Sequence, residues 1–153
     1  MAALRQADIL FANKTEASRI LGEQIAADVA STGLGRRRSL PLAARGRGAV
    51  HSTGGAVCRQ RGGIFCSQAS LMLPDNFIKG STGAGDAFTA GFLSGVHDDR
   101  TAVECLLRGE YVAAASLTHL TPSLGVPPLD ECLTLAQQFG FQESCSFEQS
   151  RLR

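Results

Sequence analysis

Gly80-Ser81-Thr82-Gly83-Ala84-Gly85-Asp86-Ala87-Phe88 is the stretch on which the reading of this chain turns. It follows a short apolar pair, Phe77-Ile78, and precedes a segment in which Phe88, Phe92, Leu93 and Val96 recur as an apolar stripe. That pattern predicts a short strand, a glycine-rich loop and a helix that opens at Asp86. Glycines let backbone N–H groups approach an anion, and a helix N-terminus adds a favourable dipole, so the loop is a candidate phosphate site. Two common nucleotide loops are excluded. A Walker A loop needs Gly-Lys-Ser/Thr where Gly85-Asp86 stands, and a dinucleotide fingerprint needs glycine where Phe88 stands. What remains is a phosphate-type loop with a carboxylate in the first helical turn. Such an acid repels a ground-state phosphate but can accept the proton of an attacking hydroxyl while the amides of Ala84, Gly85 and Asp86 neutralise the moving group. The same residue also suits an ordinary helix N-cap, and the loop alone does not separate the two.

Working outward, Asp8-Ile9-Leu10-Phe11-Ala12 predicts a buried strand ending at Asn13. A helix is expected from Glu16 to Val29, with Thr15 as N-cap and Gly33-Leu34-Gly35 as its stop. Asn13 and Glu16 then lie just past a strand end, where open α/β sheets place ligands. Their spacing suits a hydrated magnesium held by few protein ligands, and equally a turn residue with a first-turn dipole partner. Leu40–Ala44 and Ala49–Cys58 predict short strands separated by Arg45-Gly46-Arg47-Gly48, with Gly54-Gly55 a further turn. Helices are expected at about 102–120 and 129–139, followed by a polar, frayed tail over 140–153. Strands alternating with helices indicate an α/β layered fold with a largely parallel sheet.

At 153 residues, 44% hydrophobic and 19% charged, the chain has the composition of one folded domain rather than a disordered or fibrous one. The net charge of +1 hides segregation: residues 29–74 contain no Asp or Glu and seven arginines. A basic stretch invites a nucleic-acid partner, but Phe65 is its only aromatic residue and Trp is absent, which argues against a base-stacking platform. The five cysteines include no CxxC pair, which excludes a disulfide scaffold or structural zinc site and favours buried, reduced thiols. No run reaches the roughly 18 apolar residues of a membrane span, and the N-terminus lacks a signal-peptide core, so a cytoplasmic protein is expected.

The stretch from Gly80 to Phe88 resembles the C-terminal signature of the PfkB, or ribokinase-like, carbohydrate kinases, and Asp8–Ala17 resembles their Asn-x-x-Glu segment. Arg45-Gly46-Arg47-Gly48-Ala49-Val50 stands where that family has a strand and a nucleotide-contacting glycine turn. The match is collinear from about Ala7 to Gln137. The resemblance implies a three-layer αβα, Rossmann-like fold, truncated to its C-terminal, nucleotide-binding half over residues 1–139. It implies transfer of the γ-phosphoryl group of ATP to a hydroxyl of a sugar or nucleoside. Asp86 would be the general base, and Gly83, Ala84 and Gly85 the anion hole. Asn13, Glu16, Gly46 and Thr82 would serve the nucleotide, with magnesium ordered by Asn13 and, through water, by Glu16. Two departures stand out. Gly80 replaces an Asp of the family's potassium site, and the segment before the glycine turn reads Leu40-Pro41-Leu42-Ala43-Ala44. An exposed sheet edge is expected, to be covered by a second copy or a complementing N-terminal half. The alternative functions are a non-catalytic nucleotide-binding or interaction module and, behind it, an arginine-driven nucleic-acid binder.

Overall fold

The computed structural model describes residues 6–22, 47–60, 65–121, 124 and 126–142. The chain forms two compact units, residues 1–68 with 144–153 and residues 69–143.

In the first unit, β1 (Ile9–Asn13) runs into helix α1 (Lys14–Leu21), and β2 (Arg47–Ser52), β3 (Gly55–Arg59) and β4 (Phe65–Ala69) complete a four-stranded sheet in the order β1-β2-β3-β4. β1 and β2 are parallel, with Ile9 opposite Arg47 and Asn13 opposite His51. β2 and β3 are antiparallel, so the sheet is mixed rather than largely parallel. The reason is local: Thr53-Gly54 joins the two strands directly, whereas a parallel pair needs a crossover of about a dozen residues. Gly55 leaves the turn at φ +141, open to glycine, and the Ser52 hydroxyl donates to its carbonyl at 3.1 Å. Ala49 and Val50 of β2 and Ala56, Val57 and Cys58 of β3 are all buried, which explains their near-continuous apolar reading. Ala12, Ala17, Val50, Val57 and Phe65 form one core cluster, with Ala17 the contribution of α1.

Two boundaries of α1 differ from expectation. Its N-cap is Asn13, not Thr15, because the last strand residue is also the first able to reach a helix amide. The helix stops at Leu21, where Gly22 takes the left-handed conformation at φ +71 and its N–H donates to Ser18. The expected continuation to Val29 and the strand Leu40–Ala44 lie outside the described residues.

The second unit is helical. Phe77-Ile78 is not a strand: Pro74 opens a 3₁₀ turn over Asp75–Phe77, and the Phe77 ring meets Phe139 edge-on at 4.9 Å. The loop from Gly80 leads into α2 (Ala84–His97), followed by α3 (Ala102–Ser116) and α4 (Leu129–Phe139). α2 and α3 pack through glycines. A Cβ on Gly91 would lie 2.5 Å from the Arg108 carbonyl oxygen, and one on Gly109 would lie 2.7 Å from the Phe88 ring. Ala87, Val112, Ala115 and Cys132 form the core joining α2, α3 and α4. At the α2–α3 connection the Arg108 guanidinium donates to Asp98 at 2.6 Å and holds that carboxyl below its usual range.

α3 ends at Ser116 rather than near Leu120. The chain tightens there into i→i−3 bonds, and the Lys79 N–H takes the Leu117 carbonyl at 2.7 Å. Residues 140–142, expected within the polar tail, fold back. Gly140 has φ +67, Leu71 and Phe141 form an antiparallel bridge, Met72 N–H donates to Gly140, and Gln142 N–H donates to Ser70. Cys58, Cys66, Cys105 and Cys132 are buried, and burial pushes the Cys66 and Cys132 thiols up. Among the described residues no helix is long and apolar enough to cross a membrane.

Candidate active site

Each of the three helices α1, α2 and α3 carries an acidic residue at its third position, and the fates of these acids differ. In α1 the Asn13 side chain accepts the Glu16 N–H at 2.9 Å, and Glu16 accepts the Asn13 N–H at 2.8 Å. In α3 Thr101 and Glu104 make the same reciprocal box, and the Thr101 hydroxyl and amide hold Glu104 below the usual carboxylate range. In α2 the N-cap is Gly83, left-handed at φ 80, which has no side chain to cap with. Asp86, at the third helical position, is therefore not an N-cap; it makes no capping box and is exposed.

The first-turn amides of α2 follow from this geometry. Ala87 N–H makes the first helical bond, to Gly83. Ala84 N–H donates to Ser81 at 3.2 Å, so one of the three amides assigned to an anion already has a turn partner. Those of Gly85 and Asp86 precede the first intrahelical bond and point along the helix axis. The Thr89 hydroxyl donates to the Gly85 carbonyl at 2.9 Å and fixes the turn. Gly83, Ala84 and Gly85 are half-buried, while Thr82 and Asp86 are exposed. This is a concentrated N-terminal field with a carboxylate within its first turn.

The same unit holds an open cavity of about 470 Å³, lined by Ala115, Thr118, His119, Leu124, Val126 and Pro127 together with residues of α4. It adjoins the loop: a Cβ on Gly80 would stand 3.3 Å from the His119 carbonyl and from Leu120 Cα. Leu120 and Leu124 are strongly exposed there, an apolar lip beside a polar helix start. No residue of this cavity belongs to a sequence motif, since its wall comes from segments without one.

The predicted site residues fall into two groups. Thr82, Gly83, Ala84, Gly85 and Asp86 share one helix start in the second unit. Asn13 and Glu16 share the β1–α1 junction in the first unit. Gly46 lies outside the described residues, and its neighbour Arg47 stands opposite Ile9, at the amino ends of the parallel pair. At the carboxyl ends, beside Asn13, the sheet presents the turn Ser52-Thr53-Gly54-Gly55, with Gly54 N–H donating to the Ser52 hydroxyl at 3.3 Å. The Gly54-Gly55 pair was the signal for that turn.

The capping box carries its own expectation. Asn13→Ala removes the N-cap acceptor and strands a helix amide, so it lowers stability by about 1 kcal/mol. Urea unfolding should show that loss without any ligand present; an unchanged midpoint would mean that the box contributes nothing.

Comparison with known proteins bears on the fold and the family. The sequence model described as pfkB family carbohydrate kinase matches residues 1–128. Adenosine kinase from Sinorhizobium meliloti superposes with a TM-score of 0.64 at 28% identity, over 90% of this chain and 38% of that one. Ribokinase from Arabidopsis thaliana, solved with ribose and ATP, gives 0.70 at 25%, over 86% and 41%. The nucleoside kinase of Methanocaldococcus jannaschii shares the fold, with a TM-score of 0.67 at 21% identity, over 88% and 41%. The chain thus spans about two fifths of the length of these solved kinases. No curated protein matches the sequence. With its ribokinase-type fold and a family match over most of its length, the chain belongs to the pfkB family of carbohydrate kinases.

Proposed function

We propose that this chain is the nucleotide-binding and catalytic portion of a kinase that transfers the γ-phosphoryl group of ATP to a hydroxyl of a sugar or nucleoside. The observation that carries the reading is the start of α2, where a glycine replaces the side-chain cap and the third-position acid stays out of any capping box. α1 and α3 both carry a side-chain cap, whereas α2 opens on a left-handed glycine and leaves its first amides to another acceptor.

In the proposed reaction the substrate oxygen attacks the γ-phosphorus, its proton passes to the Asp86 carboxylate, and the bond to the β-phosphate oxygen breaks. The amides of Gly85 and Asp86 are the donors for the charge that develops, with the backbone of Gly83 and Ala84 shaping the loop around it. The cavity beside Gly80 has the size and mixed lining that a nucleoside requires, and it adjoins the phosphate end. Thr82 is a further polar group available to the nucleotide, and Gly46 retains that role in the proposal. The donors at the β1–α1 junction fit magnesium. Asn13 Oδ1 and one Glu16 oxygen serve the capping box, and a carboxylate keeps further lone pairs to receive a metal-bound water. When bound there, magnesium would neutralise phosphate charge. ATP as substrate and buried thiols fit a cytoplasmic setting.

The test is ADP release from MgATP in the presence of a panel of sugars and nucleosides. Product formation that depends on the added hydroxyl compound is expected. The exposed, glycine-capped start of α2 also fits one second reading: a nucleotide-binding module that works with another chain. Thermal stabilisation by MgATP without any phosphorylated product would replace the first reading with that one.

A further inference from the structure

Among the described residues Glu110 is the one charged residue with a buried side chain, at 5% exposed, and the phosphoryl-transfer proposal does not use it. It lies in the middle of α3, where its Oε2 accepts a hydrogen bond from the Ser70 hydroxyl at 2.8 Å. Ser70 begins the short ladder described above. Its carbonyl accepts the Gln142 N–H at 2.9 Å, Leu71 bridges Phe141, and Met72 N–H donates to Gly140 at 3.1 Å. The Gln142 side chain adds a bond to the Leu71 carbonyl at 3.4 Å. On the next residue of α3, the Tyr111 ring lies 6.1 Å from that of Phe141. Residues 70–72 and 140–142 thus form a strap tied to α3 at two adjacent positions, by a carboxyl and by an aromatic contact.

The electrostatics of this tie are one-sided. The strap's own described residues, Ser70–Met72 and Gly140–Gln142, include no titratable side chain. On α3, Glu104 is bound by Thr101 and faces Arg100, and Arg108 is paired with Asp98. α2 carries Asp86 and His97 near its two ends, and α4 carries Asp130 and Glu131 in its first turn. None of these contributes to the setting of Glu110. Burial pushes its carboxyl up to about 7, and the Ser70 hydroxyl offsets only part of that.

We propose that Glu110 is the latch of a pH-sensitive strap: protonated, it seats Ser70 and the 70–72/140–142 ladder on α3, and ionised, it releases them. A neutral carboxyl tolerates its apolar surroundings with one hydroxyl partner. A carboxylate there lacks the two or three donors that would replace its water, so it is relieved by hydration, which requires the strap to lift. Opening uncovers Leu71, 3% exposed when seated, and the Tyr111–Phe141 contact.

The sign follows from proton linkage. Closed, the group titrates at about 7; open and hydrated, it returns to its ordinary value of 4.5. Closure is therefore most favoured below the open-state value and is lost as pH rises towards the closed-state value, after which it levels off. The opening constant rises about tenfold per pH unit across that window, about 300-fold in all.

Amide hydrogen exchange of the full chain between pH 4.5 and 8 tests this, with each rate divided by its intrinsic value. The ladder amides of Met72 and Gln142 should show the rise, while the Cys105 amide, bonded to Thr101 in α3, should not. Glu110→Gln keeps an acceptor for Ser70 without the charge and should flatten the profile. Ser70→Ala should raise the opening constant at every pH while keeping its slope. A flat profile in the parent chain overturns the proposal, as does an unchanged slope in Glu110→Gln. Parallel loss at Cys105 also overturns it, since Glu110 would then govern the whole unit rather than a strap. If Glu110→Gln does not fold, the parent and Ser70→Ala profiles still decide.

Discussion

Asp86→Asn is expected to lower the rate of phosphoryl transfer by a factor on the order of 10²–10⁴, the usual contribution of a positioned general base. The amide matches the carboxylate in shape, so the start of α2 and its backbone donors stay in place. It cannot accept the substrate proton. The same change removes a negative charge from the first helical turn, where a bound triphosphate would meet it, so affinity for MgATP should be unchanged or slightly tighter. This split is the diagnostic result. Turnover with the panel of hydroxyl compounds measures one half, and thermal stabilisation or calorimetry with MgATP measures the other. A rate within a few-fold of the parent would remove Asp86 from the base role. Parallel loss of rate and binding would assign it to positioning instead.

Gly91→Ala should destabilise the helical unit, although alanine is the better helix former. The gain in helix propensity is about 1 kcal/mol. Against it stands a methyl group placed 2.5 Å from the Arg108 carbonyl oxygen and 2.9 Å from Val112 Cβ and Cγ2. The first obstacle is backbone and cannot rotate away, so α2 and α3 would have to separate, which costs about 1–3 kcal/mol net in a well-packed interface. Separation also disturbs the neighbouring contact, where a Cβ on Gly95 would lie 2.9 Å from Cys105 Sγ. In a thermal melt the loss corresponds to about 2–4 °C for each kcal/mol in a chain of this size. Gly54→Ala is the control, since nothing lies within 4 Å of its added Cβ. Equal stability of Gly91→Ala and the parent would contradict the close approach.

The parts of the fold written in local signals were legible. The glycine loop, the acid at the head of α2 and the three helices of the second unit follow from spacing within a few residues of each other. Competing local signals produced smaller errors. Asn13 and Thr15 are both capping residue types, and the end of β1 decided between them. Phe77-Ile78 looked apolar enough for a strand, but Pro74 and Asp75 nearby turn the chain instead. Other features depend on partners far away in sequence. β4 carries Ser67 and Gln68 without an alternating pattern and becomes a strand through its neighbour. The mixed direction of the sheet was readable only at Thr53-Gly54. The bond from Ser70 to Glu110 spans 40 residues and leaves no trace in either segment. For the site, the residue types were visible but their division was not. The capping box of Asn13 and Glu16 and the absence of one at Gly83 are distinctions of geometry.

That absence has a thermodynamic side. A glycine N-cap leaves a helix only about a few tenths of a kcal/mol short of a side-chain cap, and α2 stands that far short at Gly83. In the proposed reading, an anion that met the Gly85 and Asp86 amides would satisfy donors that no side chain caps, and binding would add to the stability of the helix. The folding of α2 and the occupancy of its first turn are then linked equilibria. Gly83 stands at φ 80, where a capping side chain would be strained, so this open helix start is tied to glycine.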